Sequence, residues 1–372
     1  MNTASSSLLA ACGRQLVAAT VGPDGGMVAA NAIEVRDVIQ HAALAGDGAR
    51  IYLACSDGGI GRPGTRHALE VLAAGPDGQM RQVGSLALPQ RPLHLAVDEA
   101  HGRVHLASNM PSAYACVSLG PGGGPVAIAH HVRDRQLAGH FAHQALPFDR
   151  TGRVLLVCRG DDGTASAPEN PGSLRLLALE NGQVRVDWVV APKGGFGFGP
   201  RNCAISPDGR FLFVVLERQN RLAVFRIVAG ELASAPAFEV TTLSSTRGQA
   251  ARQLAGDICL HATGRMAYVL NRSRDAGGEN SVAAFAIDAE TGRPSHRQTL
   301  PLPGRHPRTV RLSADGAWLA IAVMEPDEAR AQPAGISLVA VREDGSLTHR
   351  CHWEAPAGGD PVMWADFRTT AQ

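Results

Sequence analysis

Apolar and polar positions follow one recurring pattern along the chain. An apolar segment runs into a short polar turn that contains glycine, and a second apolar segment follows. The pattern occurs six times, at 38–55, 93–109, 143–159, 202–217, 257–272 and 309–323. Its turn glycines are Gly48, Gly102, Gly152, Gly209, Gly264 and Gly316, spaced 50 to 57 residues apart. Each occurrence predicts two antiparallel strands joined by a tight turn.

A repeat of this length predicts a β-propeller with about four strands in each blade. Further apolar segments such as RLAVFRI (221–227), SVAAFAI (281–287) and ISLVAV (336–341) supply third strands, and no long segment has the helical period. The first strand of a blade begins, and the second ends, at the same face. We therefore expect residues before the first strand and after the second to converge around the central channel.

The spacing predicts seven blades. The segments before Gly48 and after Gly316 together span two repeat intervals, so one more turn position falls across the termini. In that blade PVMWADF (361–367) would be the inner strand, followed by LLAAC (8–12), QLVAAT (15–20) and VAANAIEV (28–35). Pairing of the two ends closes the ring and removes open sheet edges. We predict an all-β, seven-bladed propeller of four-stranded antiparallel blades, one domain over residues 1–372.

Composition narrows the partners and the compartment. The formal net charge is +1, so neither nucleic acid nor an anionic membrane should attract the chain. No apolar run is long enough to span a bilayer. The seven cysteines have no C-x-x-C spacing, which favours buried free thiols and a cytoplasmic location. The box Leu9-Ala10-Ala11-Cys12 resembles a lipoprotein site, but no basic residue precedes it and a predicted strand includes it.

The absence of several motifs limits the chemistry. No serine nucleophile elbow, HExxH, paired-cysteine or acidic calcium-loop motif occurs. We therefore expect no serine nucleophile, no metal site and no cofactor. The segment GGFGFG (194–199) does not lie between a strand and a helix, so it is interpreted as a flexible lead into the fourth blade rather than a phosphate loop.

Polar residues concentrate at the positions expected to face the channel. Those near the start of a first strand are His94, His140, His143, Arg201, His306 and Arg308, and those after a second strand are Asp57, Asn109, Arg159, Glu217, Asn271 and Arg272. Arginine binds carboxylate and phosphate, and histidine exchanges protons near neutral pH. Structural alternatives remain open: an Arg201–Glu217 ion pair, blade-to-blade contacts of Arg272 and Arg308, and a core position for His94.

One stretch in the fourth blade carries a resemblance to a known family. Gly199-Pro200-Arg201 is followed by ISPDGR (205–210) and by VVLE (214–217). Together with PLHLAVD (92–98), YVLNR (268–272) and HPR (306–308), this resembles the lactonase-type seven-bladed propellers. That family includes bacterial phosphogluconolactonases and fungal carboxymuconate lactonizing enzymes. The resemblance covers most of the chain and is strongest from about 199 to 325.

The resemblance implies an active site with a histidine, an arginine and a glutamate. Arg201 and Glu217 carry over directly. The histidine falls in the third blade, where the family has two histidines with one residue between them and this chain has two residues between His140 and His143. Either could correspond. We favour His143 as catalytic, with Arg201 and Glu217, and expect substrate-binding roles for His94, His140, Asn271, Arg272, His306 and Arg308.

Three functions are consistent with these residues. The leading hypothesis is hydrolysis of a sugar-acid or related anionic lactone, in which a histidine or glutamate deprotonates water and Arg201 stabilises the oxyanion. The second is a lactonizing or isomerizing enzyme that acts on a muconate-type diacid. The third is a non-catalytic propeller that binds a ligand or a protein. Members of the family have a glycine-rich stretch where this chain has Met110-Pro111-Ser112-Ala113, so the sequence leaves open whether the lactone is phosphorylated. The sequence also leaves the oligomeric state open.

Overall fold

The chain divides into two compact units. The computed structural model describes residues 6–75, 78–180, 182–244, 252–356 and 361–369. The first unit comprises Met1–Ala32, Asn202–Val228 and Pro236–Thr369, and the second comprises Ile33–Arg201, Ala229–Ala235 and Thr370–Gln372. The single domain expected from the repeat stays a prediction.

Strands dominate the chain from its amino terminus through the third blade. In order they are β1 (Ser6–Cys12), β2 (Gln15–Val21), β3 (Met27–Glu34), β4 (Val38–Leu44), β5 (Arg50–Ser56), β6 (His67–Ala74), β7 (Met80–Ala87), β8 (His94–Asp98), β9 (Arg103–Asn109), β10 (Ser112–Leu119), β11 (Pro125–Val132), β12 (Ala142–Pro147), β13 (Val154–Cys158), β14 (Ser173–Glu180) and β15 (Gln183–Val190). Helical structure described in this part consists of α1 (Arg135–Ala138) and the 3-10 turns Glu99–His101 and Pro192–Gly195.

The rest of the chain is built in the same way. Its strands are β16 (Pro200–Ile205), β17 (Phe211–Leu216), β18 (Arg221–Val228), β19 (Glu231–Leu232), β20 (Phe238–Thr241), β21 (Leu254–Leu260), β22 (Met266–Arg272), β23 (Ser281–Ile287), β24 (Pro294–Pro301), β25 (Arg305–Leu312), β26 (Trp318–Glu325), β27 (Gly335–Val341), β28 (Leu347–Glu354) and β29 (Val362–Arg368). One further 3-10 turn is Glu328–Arg330. No helix in the described ranges is long and apolar enough to cross a membrane.

These strands form seven antiparallel sheets, which confirms the predicted seven-bladed β-propeller. The second unit contains blade 1 (β4–β7), blade 2 (β8–β11) and blade 3 (β12–β15). The other strands form blade 4 (β16–β20), blade 5 (β21–β24), blade 6 (β25–β28) and a closing blade in the order β29-β1-β2-β3. In the closing blade Leu9 on β1 pairs with Asp366 on β29, as the sequence predicted for the two ends.

The turn glycines explain why the repeat is visible in the sequence. All six have positive φ angles, from +60° at Gly102 to +81° at Gly152. Glycine adopts this conformation without the steric cost that a side chain brings. The strands on either side are apolar because both faces of the inner strands are buried. Every residue of Phe211–Leu216 is buried, for example. Full burial contributes roughly 1.5–3 kcal/mol for each large apolar side chain.

Candidate active site

The first strands of several blades carry β-bulges, and in blades 1, 3 and 6 the extra residue is polar. In β4 the extra residue is Gln40, in β12 it is His143, and in β25 it is Arg308. A bulge places one residue outside the regular ladder and re-aims its side chain, and bulges are frequent next to active sites. Two of these residues, His143 and Arg308, were expected from the sequence to face a functional site.

Two of the bulges follow a strained residue. Phe141, two positions before His143, has φ of +53°, and His306, two positions before Arg308, has φ of +58°. Residues other than glycine seldom adopt positive φ, and such strain persists only where the surrounding structure holds it. Blades 3 and 6 therefore use the same local backbone device to present a buried basic or ionisable residue.

In the second unit the two histidines left open by the sequence have different environments. His143 is buried on β12, and its ring lies parallel to that of Phe141, with the centroids 6.5 Å apart. The Arg159 guanidinium lies over the Phe141 ring, 4.2 Å from its centroid. His140 precedes β12 and is half-buried, and its Nδ1 accepts a hydrogen bond of 3.3 Å from Arg135. Burial and then the Arg135 charge lower the pKa of His140, which favours the neutral ring at pH 7.

Arg201 is the second residue of β16 and is only 3% exposed. The glycine-rich segment before it leads into blade 4, as expected, and hydrogen bonds fix it in place. The Gly195 carbonyl accepts from the Gly172 amide at 2.9 Å, and the Gly197 amide donates to Glu169 at 2.8 Å. The backbone on which Arg201 is mounted is therefore anchored to the long loop of blade 3.

Arg91, which the sequence analysis missed, is a deeply buried arginine of the second unit. It is 2% exposed, and its two terminal nitrogens donate to Gln40 Oε1 at 3.0 Å and to Asn109 Oδ1 at 2.8 Å. Within the described ranges no carboxylate lies at ion-pair distance from it, and burial lowers its pKa. A buried cation with only neutral partners suits an anionic ligand. Arg91 lies shortly before β8, the first strand of blade 2, and this position could have identified it from the sequence as a residue that faces the channel.

His94 begins β8 and stacks on His41, a second residue that the sequence analysis did not single out. The ring centroids are 4.3 Å apart and the rings are inclined by 35°. Both side chains are buried. His41 was overlooked because it lies inside an apolar strand pattern, where the bulge at Gln40 turns it out of the expected alternation. His94 therefore does occupy a buried position, as considered from the sequence, but it does so in contact with a second buried histidine, His41.

In the first unit Glu217 and Arg272 form a buried ion pair. Arg272 Nη2 contacts Glu217 Oε1, and each side chain is 6% exposed. Glu217 directly follows β17 and Arg272 ends β22, so the pair joins blades 4 and 5. The Ala255 amide also donates to the Glu217 carbonyl at 3.0 Å. A carboxylate held in this way fixes the orientation of the guanidinium beside it.

Asn271 is engaged within the protein. Its Nδ2 lies 2.7 Å from the Thr242 carbonyl, 3.1 Å from Ser281 Oγ and 3.3 Å from Glu279 Oε1. The side chain is fully buried. These contacts join the end of β22 to the start of β23 and to Thr242, which follows β20 of blade 4. Its substrate-binding role stays a prediction.

His306 and Arg308 enter β25 through a fixed connection. The His306 amide donates to Asn280 Oδ1 at 2.9 Å, and the same oxygen accepts from the Ser273 amide at 3.0 Å. Asn280 thereby joins the loop after β22 to the start of β25. His306 and Arg308 are both buried. The positions predicted for them next to each other at the start of a first strand are observed.

A further polar cluster on the inner strands of the first unit was not anticipated. Arg311 on β25 donates to Asp257 Oδ2 at 2.7 Å, and its Nε lies 3.7 Å from Asp366 on β29. Asp257 also accepts from the Val310 amide at 3.2 Å. Burial, partly offset by the Arg311 charge, raises the pKa of Asp366 to about 6. The raised pKa of Asp366 predicts that the stability of the closing strand depends on pH.

Comparison with known proteins decides the family. A family model described as lactonase, 7-bladed beta-propeller, matches residues 40–331. The chain belongs to this lactonase family. The match runs from Gln40 in β4 to the loop after β26 in blade 6, and so includes every candidate-site residue described so far except Asp366 of the closing strand. Membership confirms the family resemblance and the predicted enzyme class, a lactonase.

Two curated relatives of this lactonase are 6-phosphogluconolactonases. That of Pectobacterium carotovorum is 26% identical over 68% of this chain and 69% of its own length. That of Pectobacterium atrosepticum is 25% identical over 77% of this chain and 76% of its own. Among solved structures, the periplasmic gluconolactonase of Pseudomonas aeruginosa superposes with a TM-score of 0.80. It is 17% identical and covers 99% of this chain and 100% of its own, a likeness of fold.

Proposed function

We propose that this protein hydrolyses an anionic lactone of the sugar-acid class. Membership of the lactonase family and the names of the two Pectobacterium relatives support the reaction and the substrate class. One structural observation carries the proposal. Arg201 and Glu217, which the resemblance assigns to the active site, and His143, which we favour as its histidine, are all ionisable, yet each is at most 8% exposed. Ionisable side chains are rarely buried without a specific task.

The proposed reaction needs a base and an oxyanion partner. His143 accepts a proton from water as the water oxygen attacks the lactone carbonyl. Arg201 donates hydrogen bonds to the oxyanion that develops on the carbonyl oxygen. When the tetrahedral intermediate collapses, the ring C–O bond breaks and the protonated histidine returns the proton to the leaving alkoxide. The product is the open-chain hydroxy acid, which releases one proton to solvent near neutral pH.

Arg272 and Arg91 are proposed to bind the substrate, and Glu217 is proposed to act in the active site by positioning Arg272. Glu217 holds Arg272 in one orientation, which lets the guanidinium bind an anionic substituent without first losing side-chain freedom. In the second unit Arg91 already has Gln40 and Asn109 as neutral partners and carries an uncompensated charge. We assign it the same task, recognition of a carboxylate or phosphate.

Proton release over a panel of lactones tests the reaction. The panel contains gluconolactone, 6-phosphogluconolactone and muconolactone, with a pH indicator as the readout and product identity checked by mass spectrometry. We expect catalysed proton release with at least one sugar-acid lactone, and addition of one water to the product. No release from any of the three would contradict the proposal. In a parallel assay with a muconate, loss of diene absorbance without acid release would favour the lactonizing alternative.

We also propose a cytoplasmic location. None of the seven cysteines forms a disulfide in the structure, and five of them are buried. A reducing compartment keeps thiols in this state. Fractionation of the native host should place the protein with cytoplasmic markers. The structurally similar gluconolactonase of Pseudomonas aeruginosa is periplasmic. Recovery of this protein in the periplasmic fraction would therefore contradict the proposed location.

A further inference from the structure

A cavity of about 660 Å³ lies in the first unit between blades 5 and 6, lined by the glycine-turn ends of their strands. Its walls include Tyr268 and Met266 on β22, Arg297 on β24 and the β27–β28 hairpin, with Gly345. None of the residues proposed for lactone hydrolysis lines it. A cavity of this volume is within the usual range for small-molecule sites.

Blades 1 and 2 show what the same position looks like when it is filled. Tyr52 is the third residue of β5, the second strand of blade 1. Its hydroxyl donates to the Gly123 carbonyl at 2.9 Å, in the β10–β11 hairpin of the next blade. Arg50, two residues earlier, donates to the adjacent Gly122 carbonyl at 3.1 Å. The tyrosine and the hairpin thus close the gap between neighbouring blades.

In blades 5 and 6 the equivalent contact is missing. Tyr268 is the third residue of β22, as Tyr52 is of β5. The β27–β28 hairpin has the same turn as the β10–β11 hairpin, since the Gly345 amide donates to the Arg342 carbonyl at 2.8 Å. Gly345, however, lies against the Met266 side chain. The Tyr268 hydroxyl is buried and has no hydrogen-bond partner among the described residues. An unsatisfied buried hydroxyl is costly, so a ligand group there would be favourable.

The rim of the cavity favours an anion. Arg265 and Arg297 line it, and neither guanidinium lies at ion-pair distance from a carboxylate in the described part of the chain. By contrast, two of the three acidic groups on the rim are used in turns, and the third, Glu343, is adjacent in sequence to Arg342, which also lines the cavity. Asp344 accepts from the Ser346 amide at 2.9 Å, and Asp315 accepts from the Ala317 amide at 3.0 Å. The positive charge is therefore available to a ligand, and much of the negative charge is committed to the backbone.

We propose that this interblade cavity binds a small organic acid with an apolar body. A hydroxyl or carbonyl of the acid contacts Tyr268, its body packs against Met266, Ile287 and Val341, and its carboxylate contacts Arg265 and Arg297. Met266 has three rotatable bonds and adjusts to admit the apolar body. The site is separate from the residues proposed for lactone hydrolysis and independent of that function.

The probe is 6-hydroxy-2-naphthoate, which has a hydroxyl at one end and a carboxylate at the other and is fluorescent. We expect saturable binding to the full-length protein in a fluorescence titration. Tyr268→Phe should weaken binding about fivefold, the effect of one hydrogen bond. The same variant should leave the affinity for 2-naphthoate, which lacks the hydroxyl, unchanged. Arg265→Gln should weaken both naphthoates and not 2-naphthol.

Tyr52→Phe is the matched control. It removes the hydroxyl that is already satisfied by Gly123, so it should lower the Tm and leave the affinity for 6-hydroxy-2-naphthoate unchanged. Tyr268→Phe should not lower the Tm, because no hydrogen bond is lost. The proposal is overturned if the wild-type protein shows no saturable binding at millimolar probe, or if Tyr268→Phe and wild type bind the hydroxylated probe equally well.

Discussion

Buried charges in this protein are of two kinds. Glu217 and Arg272 compensate each other across two blades, whereas the hydrogen-bond partners of Arg91 among the described residues are the amide oxygens of Gln40 and Asn109. Removing either member of a compensated ion pair leaves the other charge buried, which lowers the stability of the fold. Removing an uncompensated cation instead lowers the affinity for the anion that binds it. The two kinds should therefore respond differently to substitution, one in stability and the other in substrate affinity.

The ion pair is tested by Glu217→Gln and Arg272→Met, singly and together. Glu217→Gln leaves the Arg272 charge buried, so the free energy of unfolding should fall by about 3 kcal/mol. The double variant replaces the pair with uncharged groups and should recover at least half of that loss. Urea denaturation, with the m value compared between variants, is the measurement. Strictly additive losses in the double variant would show that the two side chains do not stabilise each other.

Arg91→Gln tests the role in binding an anion. KM for an anionic lactone should rise about tenfold or more, with kcat within about threefold, because the contact is made in the ground state as well as the transition state. KM for a neutral lactone should stay unchanged. Arg81→Gln, an exposed arginine of the same unit, is the control. An equal rise in KM for neutral and anionic lactones would contradict the assignment.

For individual residues, the sequence predicted the position of a side chain along its strand better than it predicted which side chain it contacts. Placement of Arg201 and Glu217 near strand ends follows from the repeat, because the turn glycine fixes where each strand starts and stops. The partner of Glu217 could not be predicted, since Arg272 is 55 residues away and meets it only when blades 4 and 5 pack. Arg91 was missed for the same reason, as Gln40 and Asn109 come from two other strands.

At the scale of the element, backbone irregularity aims the candidate residues. Blades 3 and 6 each have a residue with positive φ two positions before a bulge, at Phe141 and His306. Strain of this kind is stabilised by contacts elsewhere in the blade. Small changes in the connection before β12 or β25 should therefore alter activity more than their distance from the chemistry suggests.

Gly304→Ala tests the connection before β25. Gly304 has φ of +71°, and a Cβ there would lie 2.6 Å from Val323 Cγ1 and 3.0 Å from the Glu325 carbonyl oxygen. The substitution should reduce the free energy of unfolding by about 2–4 kcal/mol and lower kcat/KM by displacing His306. Thermal unfolding and steady-state kinetics measure the two effects.

Gly277→Ala is the control for this variant. Gly277 has a similar φ of +79°, but a Cβ there would have no atom within 4 Å. It should lose only about 1 kcal/mol from the positive φ and retain activity. If the two variants are equally stable and equally active, the close approach of Gly304 to Val323 has no functional consequence.

The strands themselves were predictable, and their irregularities were not. Alternation and turn glycines are local signals, so the positions of β12 and β25 follow from the sequence. A bulge depends on the register with the neighbouring strand, which no residue encodes alone. This is why His41 was overlooked and why the choice between His140 and His143 could not be made from their spacing.

For the molecule as a whole, the two chain ends meet in one sheet. β29, from the carboxyl terminus, pairs with β1, from the amino terminus, and so covers an edge that would otherwise be open. Asp366 on β29 is about one quarter exposed and lies close to Arg311 of blade 6. Stability of the closing blade is thereby linked to pH.

Asp366→Asn should remove this dependence on pH. The native pKa is about 6, above the unfolded value of about 3.9, so protonation favours the folded state. That contribution is complete below about pH 4 and is lost as the pH rises through 6. The variant should thus be more stable than the wild type at pH 7, by about 1 kcal/mol because the side chain is partly hydrated, and the difference should shrink toward pH 4.

Urea denaturation at several pH values measures this difference. Asp208→Asn is the control, because a hydrogen bond from Ser206 holds the pKa of that carboxyl near about 2. Its difference from wild type should be constant from about pH 5 to 7. A difference for Asp366→Asn that is also constant over this range would contradict the raised pKa.

The fold as a whole was the most predictable level. Six glycine turns at nearly equal spacing indicate blades of equal length, and the length left at the two ends indicates a seventh blade closed by both termini. Each blade repeats the same arrangement of two apolar strands joined by a glycine turn, so this one sequence pattern predicts all the blades. The function was less predictable, because it depends on a few polar residues that the repeat does not constrain.

The most direct test of lactone hydrolysis is kcat/KM for the best lactone substrate in wild type, Arg201→Ala and Arg221→Ala. Arg221 is an exposed arginine on β18 of the same blade and serves as the matched control. We predict that Arg201→Ala lowers kcat/KM at least about 100-fold with little change in Tm, since removal of one oxyanion donor has effects of that size. Arg221→Ala should retain full activity. Full activity in Arg201→Ala would contradict the proposed mechanism.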